Sequence, residues 1–405
     1  MIRFTGYIVV LFNLAAGLVA QQQSPLPDLP SDIPKDAIIR IALTDRTPSG
    51  QDAVWTTPDG AIHEFFQFND RGRGPKIYTT YHLDADGLIS SESSKGNDYM
   101  KSPVEETFSL TSGEAVWKNQ SEDEKLPNAA GKFYVDIDGG PEAGAILARA
   151  LLSPKNDGQL AVLPSGTATI QRLQSMPVEV SGKKLTATLY AVSGLAFNPA
   201  YLWLDEQQQL FANISGWFAV VRVGYESSVP ALRDSQRQVE VARSAELAKK
   251  LTHKPTGDLV VSNVSLFDSP TRAVIPNQRV IIRGEHIVSV GAENGQSVAS
   301  GATVIDGKGK MLIPGLWDMH AHLFAENAFL DIATGVTTAR DMGNSIEELT
   351  ILRQNIAAGK QIGPRVVLAG FIDGPGPFEG PIKVLAATPE EAKERVDRYA
   401  KLGYV

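Results

Sequence analysis

Two histidines, His320 and His322, stand one residue apart in the run GLWDMHAHL (residues 315–323), and the 405-residue chain has only six histidines in all. A β-strand repeats every two residues, so Asp318, His320 and His322 are expected on one face if this run is extended. Neutral imidazoles spaced in this way can share one metal ion, and their nitrogen donors suit zinc and related divalent ions. Two nitrogens are half a site, because zinc takes four ligands, or three and an open position for water. A bare His-x-His also occurs in ordinary strands, so the elements around the pair must decide what it is for.

Those elements alternate. Residues 316–322 read as a strand, 326–333 as a helix and 336–340 as a strand. Ser345 is a good N-cap for a helix reaching about residue 358, and 365–369 read as a third strand. A Gly- and Pro-rich stretch (370–381) follows, and then Thr388-Pro389-Glu390-Glu391 opens a helix that Gly403 ends. Tyr404 and Val405 look like the start of one more strand. The histidines therefore sit at the C-terminal end of a strand entering a β/α series, where barrel enzymes place their chemistry.

Upstream the rhythm is different. Residues 37–252 show many short β-like runs, one helix opened by Pro141, and a closing helix over 230–251 with Leu232, Val239, Ala242 and Leu247 among many charges. The stretch HKPTG (253–257) is a stop signal and a domain boundary. Residues 257–314 form a small β module with a hairpin turning at Gly284-Glu285, too thin to stand alone. At the N-terminus, Arg3 precedes an apolar run over 7–19 and a small residue, Ala20, the order of a secretory signal over residues 1–20. That run is shorter than the roughly 20 residues a membrane span needs. The expectation is an exported chain, periplasmic or secreted, with a flexible lead-in over 21–36 and no membrane span after cleavage.

Composition narrows the function. Hydrophobic residues make up 43% and charged residues 21%, the balance of a folded protein. A net charge of −8 without a dense Lys/Arg run argues against nucleic acid as a partner. The absence of cysteine excludes disulfides, thiolate catalysis and Cys-ligated zinc.

The run KMLIPGLWDMHAHL (310–323), preceded by VIDGKGK (304–310), resembles the first barrel strand of the amidohydrolase superfamily. GVTTARDMG (335–343) and GPRVVLAGFIDGPGP (363–377) resemble the second and third strands of its Xaa-Pro dipeptidase-like and imidazolonepropionase-related branch. The resemblance implies an α+β multidomain chain. A β-rich N-terminal domain, which resembles no named family, precedes a small β-sandwich module and the first three or so units of a (β/α)8 TIM-type barrel. It also implies that His320 and His322 bind the more buried divalent metal, most readily Zn2+, of a site that is binuclear in the whole family barrel. The substrate implied is a small-molecule amide or dipeptide: a dipeptide, an N-acyl amino acid or a cyclic amide. In that family an activated hydroxide attacks a carbonyl whose oxygen the metal polarises. The family's further lysine, histidine and aspartate ligands find no match up to Val405, so the expectation is a truncated, inactive barrel. The alternative is an exported, non-catalytic binding module whose working part is the β-rich domain.

Other polar residues carry blander readings. His63, His82 and His286 read as packing or surface residues. DIDGG (136–140) begins like a calcium loop, but its glycine is misplaced and no glutamate follows at position twelve, so it reads as a strand end. NDRGRGP (69–75) reads as a plain loop. Asp341 and Asp373 fall at strand ends and could face a barrel mouth, without an assigned role.

Overall fold

The computed structural model describes residues 26, 28–44, 47–376, 379 and 384–405. The expected signal segment, 1–20, lies outside the described residues. Among these residues no helix is long and apolar enough to cross a membrane.

Short strands broken by turn residues line up into one antiparallel sheet. Its first arm holds β1 (Ile38–Thr44), β2 (Thr47–Thr56), β3 (Ile62–Phe68), β4 (Lys76–Leu83) and β5 (Ile89–Asn97). It continues through β6 (Pro103–Thr111), β7 (Glu114–Lys118) and β8 (Asp123–Leu126) to a short β9 (Phe133–Tyr134) and helix α1 (Pro141–Leu152). The second arm holds β10 (Gln159–Leu163), β11 (Thr167–Val180), β12 (Lys183–Ser193), β13 (Ala200–Leu204), β14 (Leu210–Ser215) and β15 (Phe218–Arg222). The fifteen strands run β8-β7-β6-β5-β4-β3-β2-β1-β15-β14-β13-β12-β11-β10-β9, so two meanders join where β1 pairs with β15, Arg40 opposite Arg222. Only β9 and β10 are parallel among these neighbours.

Helix α1 packs against both arms of the sheet. Ala145, Ile146, Leu147, Ala148, Ala150 and Leu151 are all buried, which leaves the helix little solvent face. They pack on Tyr81, Ile89, Phe108 and Trp117 from one arm and on Leu160, Val192, Leu202 and Leu210 from the other. Both arms thus contribute to burying this one helix, at about 1.5–3 kcal/mol for each large apolar side chain. Helix α2 (Val229–Leu251) covers a second cluster with Val229 and Leu232 against Trp203, Phe211 and Ile214, and most of its remaining length alternates between half-buried and exposed residues.

The next sheet holds β16 (Leu259–Asp268), β17 (Ala273–Arg283), β18 (His286–Ala292), β19 (Thr303–Asp306) and β20 (Met311–Leu312). The expected sandwich is corrected here: among the described residues this module is one five-stranded sheet. Its β18 is exposed along its whole length, with Ile287 67% and Val290 52% accessible, because no second layer lies on it among those residues.

Strand and helix then alternate as expected: β21 (Leu316–Ala321), α3 (Ala325–Ala333), β22 (Val336–Asp341), α4 (Ile346–Ala357), β23 (Arg365–Leu368) and α5 (Pro389–Lys401). The three strands form a parallel sheet, β21-β22-β23. Caps placed from sequence are present: Ser345 Oγ accepts from Glu348 N at 3.4 Å and Thr388 Oγ1 from Glu391 N at 3.2 Å. Tyr404 and Val405 are not in a strand; Val405 N makes a hydrogen bond to Leu368 O at 2.9 Å.

Candidate metal centre

Strand β21 carries the histidine pair, and its register decides where the rings go. Asp318 pairs with Ala339 and Ala321 with Asp341, so β21 takes three residue steps where β22 takes two. That is a bulge at Met319 and His320, and strict alternation does not run through the motif. The Asp318 side chain serves the bulge, accepting from His320 N at 2.9 Å. The expectation that Asp318, His320 and His322 share one face by simple alternation is thereby revised. The two rings nevertheless converge, with centroids 5.4 Å apart and planes at 68°. Buried Ala321 anchors the strand between two exposed histidines.

The His322 ring is oriented by its neighbours. Its Nδ1 lies 2.8 Å from the Gly343 carbonyl oxygen. A carbonyl only accepts, so Nδ1 carries a proton, and Nε2 is the nitrogen that could act as a ligand. Asp341 is fully buried, and both its oxygens are taken: Oδ2 accepts from Leu323 N at 2.8 Å and Oδ1 from Gly343 N at 3.0 Å. Asn327 donates to His322 O at 2.9 Å and accepts from Phe324 N at 2.8 Å, and Asn344 donates to Leu323 O. Asp373 Oδ1 accepts from Gly374 N at 2.8 Å, within its own loop.

The donor chemistry of this pair fits a divalent ion. Two imidazoles converge, and His322 meets Gly343 O through Nδ1, which leaves Nε2 facing the position of an ion. Among the described residues no group of three His, Asp or Glu side chains is close enough to hold a metal. The pair is thus two ligands and not a finished coordination shell.

His63, His82 and the 69–75 loop have ordinary local partners. His63 stacks on Trp55 at 5.3 Å and hydrogen-bonds Thr57 and Thr80, and His82 bonds Ser91. In the 69–75 loop Arg71 forms an ion pair with Asp70.

Sequence reasoning missed a buried acidic row on the first sheet. Glu64 on β3 faces Thr79, Thr79 faces Ser94 and Ser94 faces Glu106, strand after strand. The DIDGG loop is sewn to this row and is not a strand end: Glu106 accepts from Tyr134 Oη at 2.7 Å and from Asp138 N at 2.9 Å. Glu64 accepts from Glu142 N at 2.8 Å, placing a carboxyl oxygen at the start of α1, where no side chain of the helix caps it. Burial, then the nearby Asp136 and Glu106, push the Glu92 carboxyl up to about 9, and burial with Glu106 raises Asp136 to about 7. Burial also disfavours the Glu142 carboxylate, but the Arg40 and Arg149 guanidiniums outweigh it and hold Glu142 below its ordinary value.

No family model matches the chain. It is 31% identical over 86 residues, 21% of its length, to an adenine deaminase of Staphylothermus marinus, and 33% identical over 82 residues to an adenine deaminase of Rubrobacter xylanophilus. The chain spans 14% of the length of these curated relatives. Among solved structures, a prolidase-like protein of Bifidobacterium longum is 27% identical with a TM-score of 0.34, covering 37% of this chain and 40% of that one. Phenylurea hydrolase B is 28% identical with a TM-score of 0.28, covering 36% of this chain and 38% of that one. Over part of its length, then, the chain is similar to proteins of the amidohydrolase superfamily.

Proposed function

We propose that residues 257–405 are the N-terminal part of a metal-dependent hydrolase of amidohydrolase type, whose strand–helix series begins a (β/α)8 barrel. His320 and His322 are two ligands of its divalent ion, with Zn2+ the first choice on donor chemistry. The observation that carries this reading is the convergence of the two imidazoles at the end of β21, with His322 Nδ1 already engaged by Gly343 O. When bound, the ion would polarise a carbonyl and make water nucleophilic near neutral pH. The protein's own share is to hold two nitrogens at the strand end and to present them to solvent. Relatives named deaminase and phenylurea hydrolase support cleavage at an amide-type carbon–nitrogen bond, in a dipeptide, an N-acyl amino acid or a cyclic amide. Export to the periplasm or medium is part of the same proposal and rests on the charged, apolar, small-residue order of residues 1–20.

The test is calorimetric titration of the purified chain with ZnCl2 and MnCl2. Weak binding is expected, since two ligands leave most of the shell to water. His320→Ala and His322→Ala should each abolish it, and His63→Ala should leave it unchanged. Binding that survives both site substitutions would overturn the assignment.

A further inference from the structure

The hydrogen bond that aims His322 depends on one carboxylate. Asp341 ends β22 and grips two backbone N–H groups: Leu323 N, next to the histidine, and Gly343 N, in the residue whose carbonyl meets Nδ1. Gly343 holds that carbonyl in place from a conformation side chains avoid, with φ +153, and an added Cβ would come within 3.0 Å of the Phe371 side chain. A second strap, Met342 N to Ala321 O at 2.9 Å, fixes the spacing of the two strand ends. Each oxygen of the carboxylate is therefore held by a backbone donor. Its geometric effect is to lock Gly343 O against His322.

We propose that Asp341 is a positioning residue that selects the Nδ1–H tautomer of His322 and so keeps Nε2 available as a ligand. The proposal rests on the metal reading above for its purpose, but not for its geometry. Free neutral imidazole of histidine favours the other tautomer, with the proton on Nε2, so the Gly343 carbonyl must work against that preference. His320 provides the contrast. Its ring has no hydrogen-bond partner among the described residues, only the edge contact with His322. One ring of the pair is pre-set and the other is left to be set by the ion. Fixing the tautomer through the second ring nitrogen is how proteins ready an imidazole for metal, and losing such a partner costs on the order of 10-fold or more in affinity.

The experiment is long-range proton–nitrogen NMR on the full chain with 15N-labelled histidine, first without metal and then through a Zn2+ titration. The expected spectrum has His322 in the Nδ1–H form and His320 outside it. Asp341→Asn keeps the size of the side chain but cannot accept equally at both oxygens; it should lose the His322 tautomer and bind Zn2+ about 10-fold more weakly. Asn344→Ala removes the donor to Leu323 O and leaves the carboxylate grip intact, so it should keep the tautomer even if it lowers thermal stability. An Nε2–H form of His322 in the unmodified chain would overturn the proposal whatever the variants do. So would retention of the Nδ1–H form in Asp341→Asn, or its equal loss in Asn344→Ala. Should the unmodified chain show the expected tautomer and bind no Zn2+, the hydrolase reading falls and the positioning role of Asp341 stands.

Discussion

Arg40 shows how much a single side chain holds together in this protein. It has no accessible surface, yet it bonds Asp52 at 2.5 Å, Glu142, and the Leu210 carbonyl at 3.2 Å, joining β1, β2, β14 and α1. Removing one partner from such a group leaves carboxylates buried without compensation. Arg40→Met should therefore cost about 3–5 kcal/mol, read as a lower midpoint in urea unfolding. Arg40→Lys should recover little of that, because a compact ammonium cannot span the three separated acceptors that Nε, Nη1 and Nη2 of the planar guanidinium reach. Gly140 is a second sensitive point: an added Cβ would lie 2.4 Å from the Glu64 carboxyl carbon. Gly140→Ala should lower stability by about 1–3 kcal/mol, as overpacking does, with a correspondingly reduced melting temperature. At this scale the sequence was informative where chemistry is local. His320 and His322 stand out by type and spacing alone. Arg40 does not, because the partners that make it important lie 12 and 102 residues away.

Among the elements, two buried carboxyls beside the acidic row, Glu92 and Asp136, make the first sheet respond to pH. Glu92 is only 4% exposed, and its Oε2 has no hydrogen-bond partner among the described residues, while Oε1 accepts from Ser94 Oγ at 2.8 Å. Glu92 and Asp136 hold their protons more tightly in the folded chain, up to about 9 and about 7, against ordinary values of 4.5 and 3.8. Between the ordinary and folded values the folded state binds more protons than the unfolded one, so stability falls as pH rises. The melting temperature should decline from about pH 5 toward pH 9, and Glu92→Gln should flatten the upper part of that decline. An unchanged slope in the variant would count against this origin. Such a row is hard to read from sequence because β3 is buried on both faces. Period-two alternation then no longer separates inside from outside, and Glu64 passes for a solvent-facing charge. Helices were easier to place, since Pro141, Ser345 and Thr388 mark their starts by local chemistry. The bulge in β21 was not visible in advance, because register depends on the partner strand.

At the scale of the whole molecule, the first sheet with α1 and α2 carries its own two large hydrophobic clusters. Its ties to the later strand–helix series include the Arg237–Glu348 ion pair at 2.7 Å and the contact of Phe197 with Phe329 at 5.7 Å. A half-exposed ion pair of this kind contributes about 0–1 kcal/mol. Residues 26–252 expressed alone should therefore unfold in one cooperative thermal transition, and a spectrum of disordered chain would contradict that. The β-rich character of this region was legible from its turn-punctuated runs, but its closure was not: the β1–β15 pairing joins residues some 180 positions apart, and no local pattern announces such a contact. That pairing has a mechanical consequence. Chain enters β1 at Ile38 and leaves β15 at Arg222, and Val223 N still bonds Ile39 O at 3.0 Å, so entry and exit lie side by side at one end of an antiparallel ladder. Tension applied between those two points would load the hydrogen bonds one after another, as in a zipper, and not all together as in shear. Held by its ends in an optical trap, this sheet should part first at its middle seam and at low force, leaving the two meanders to come apart afterwards.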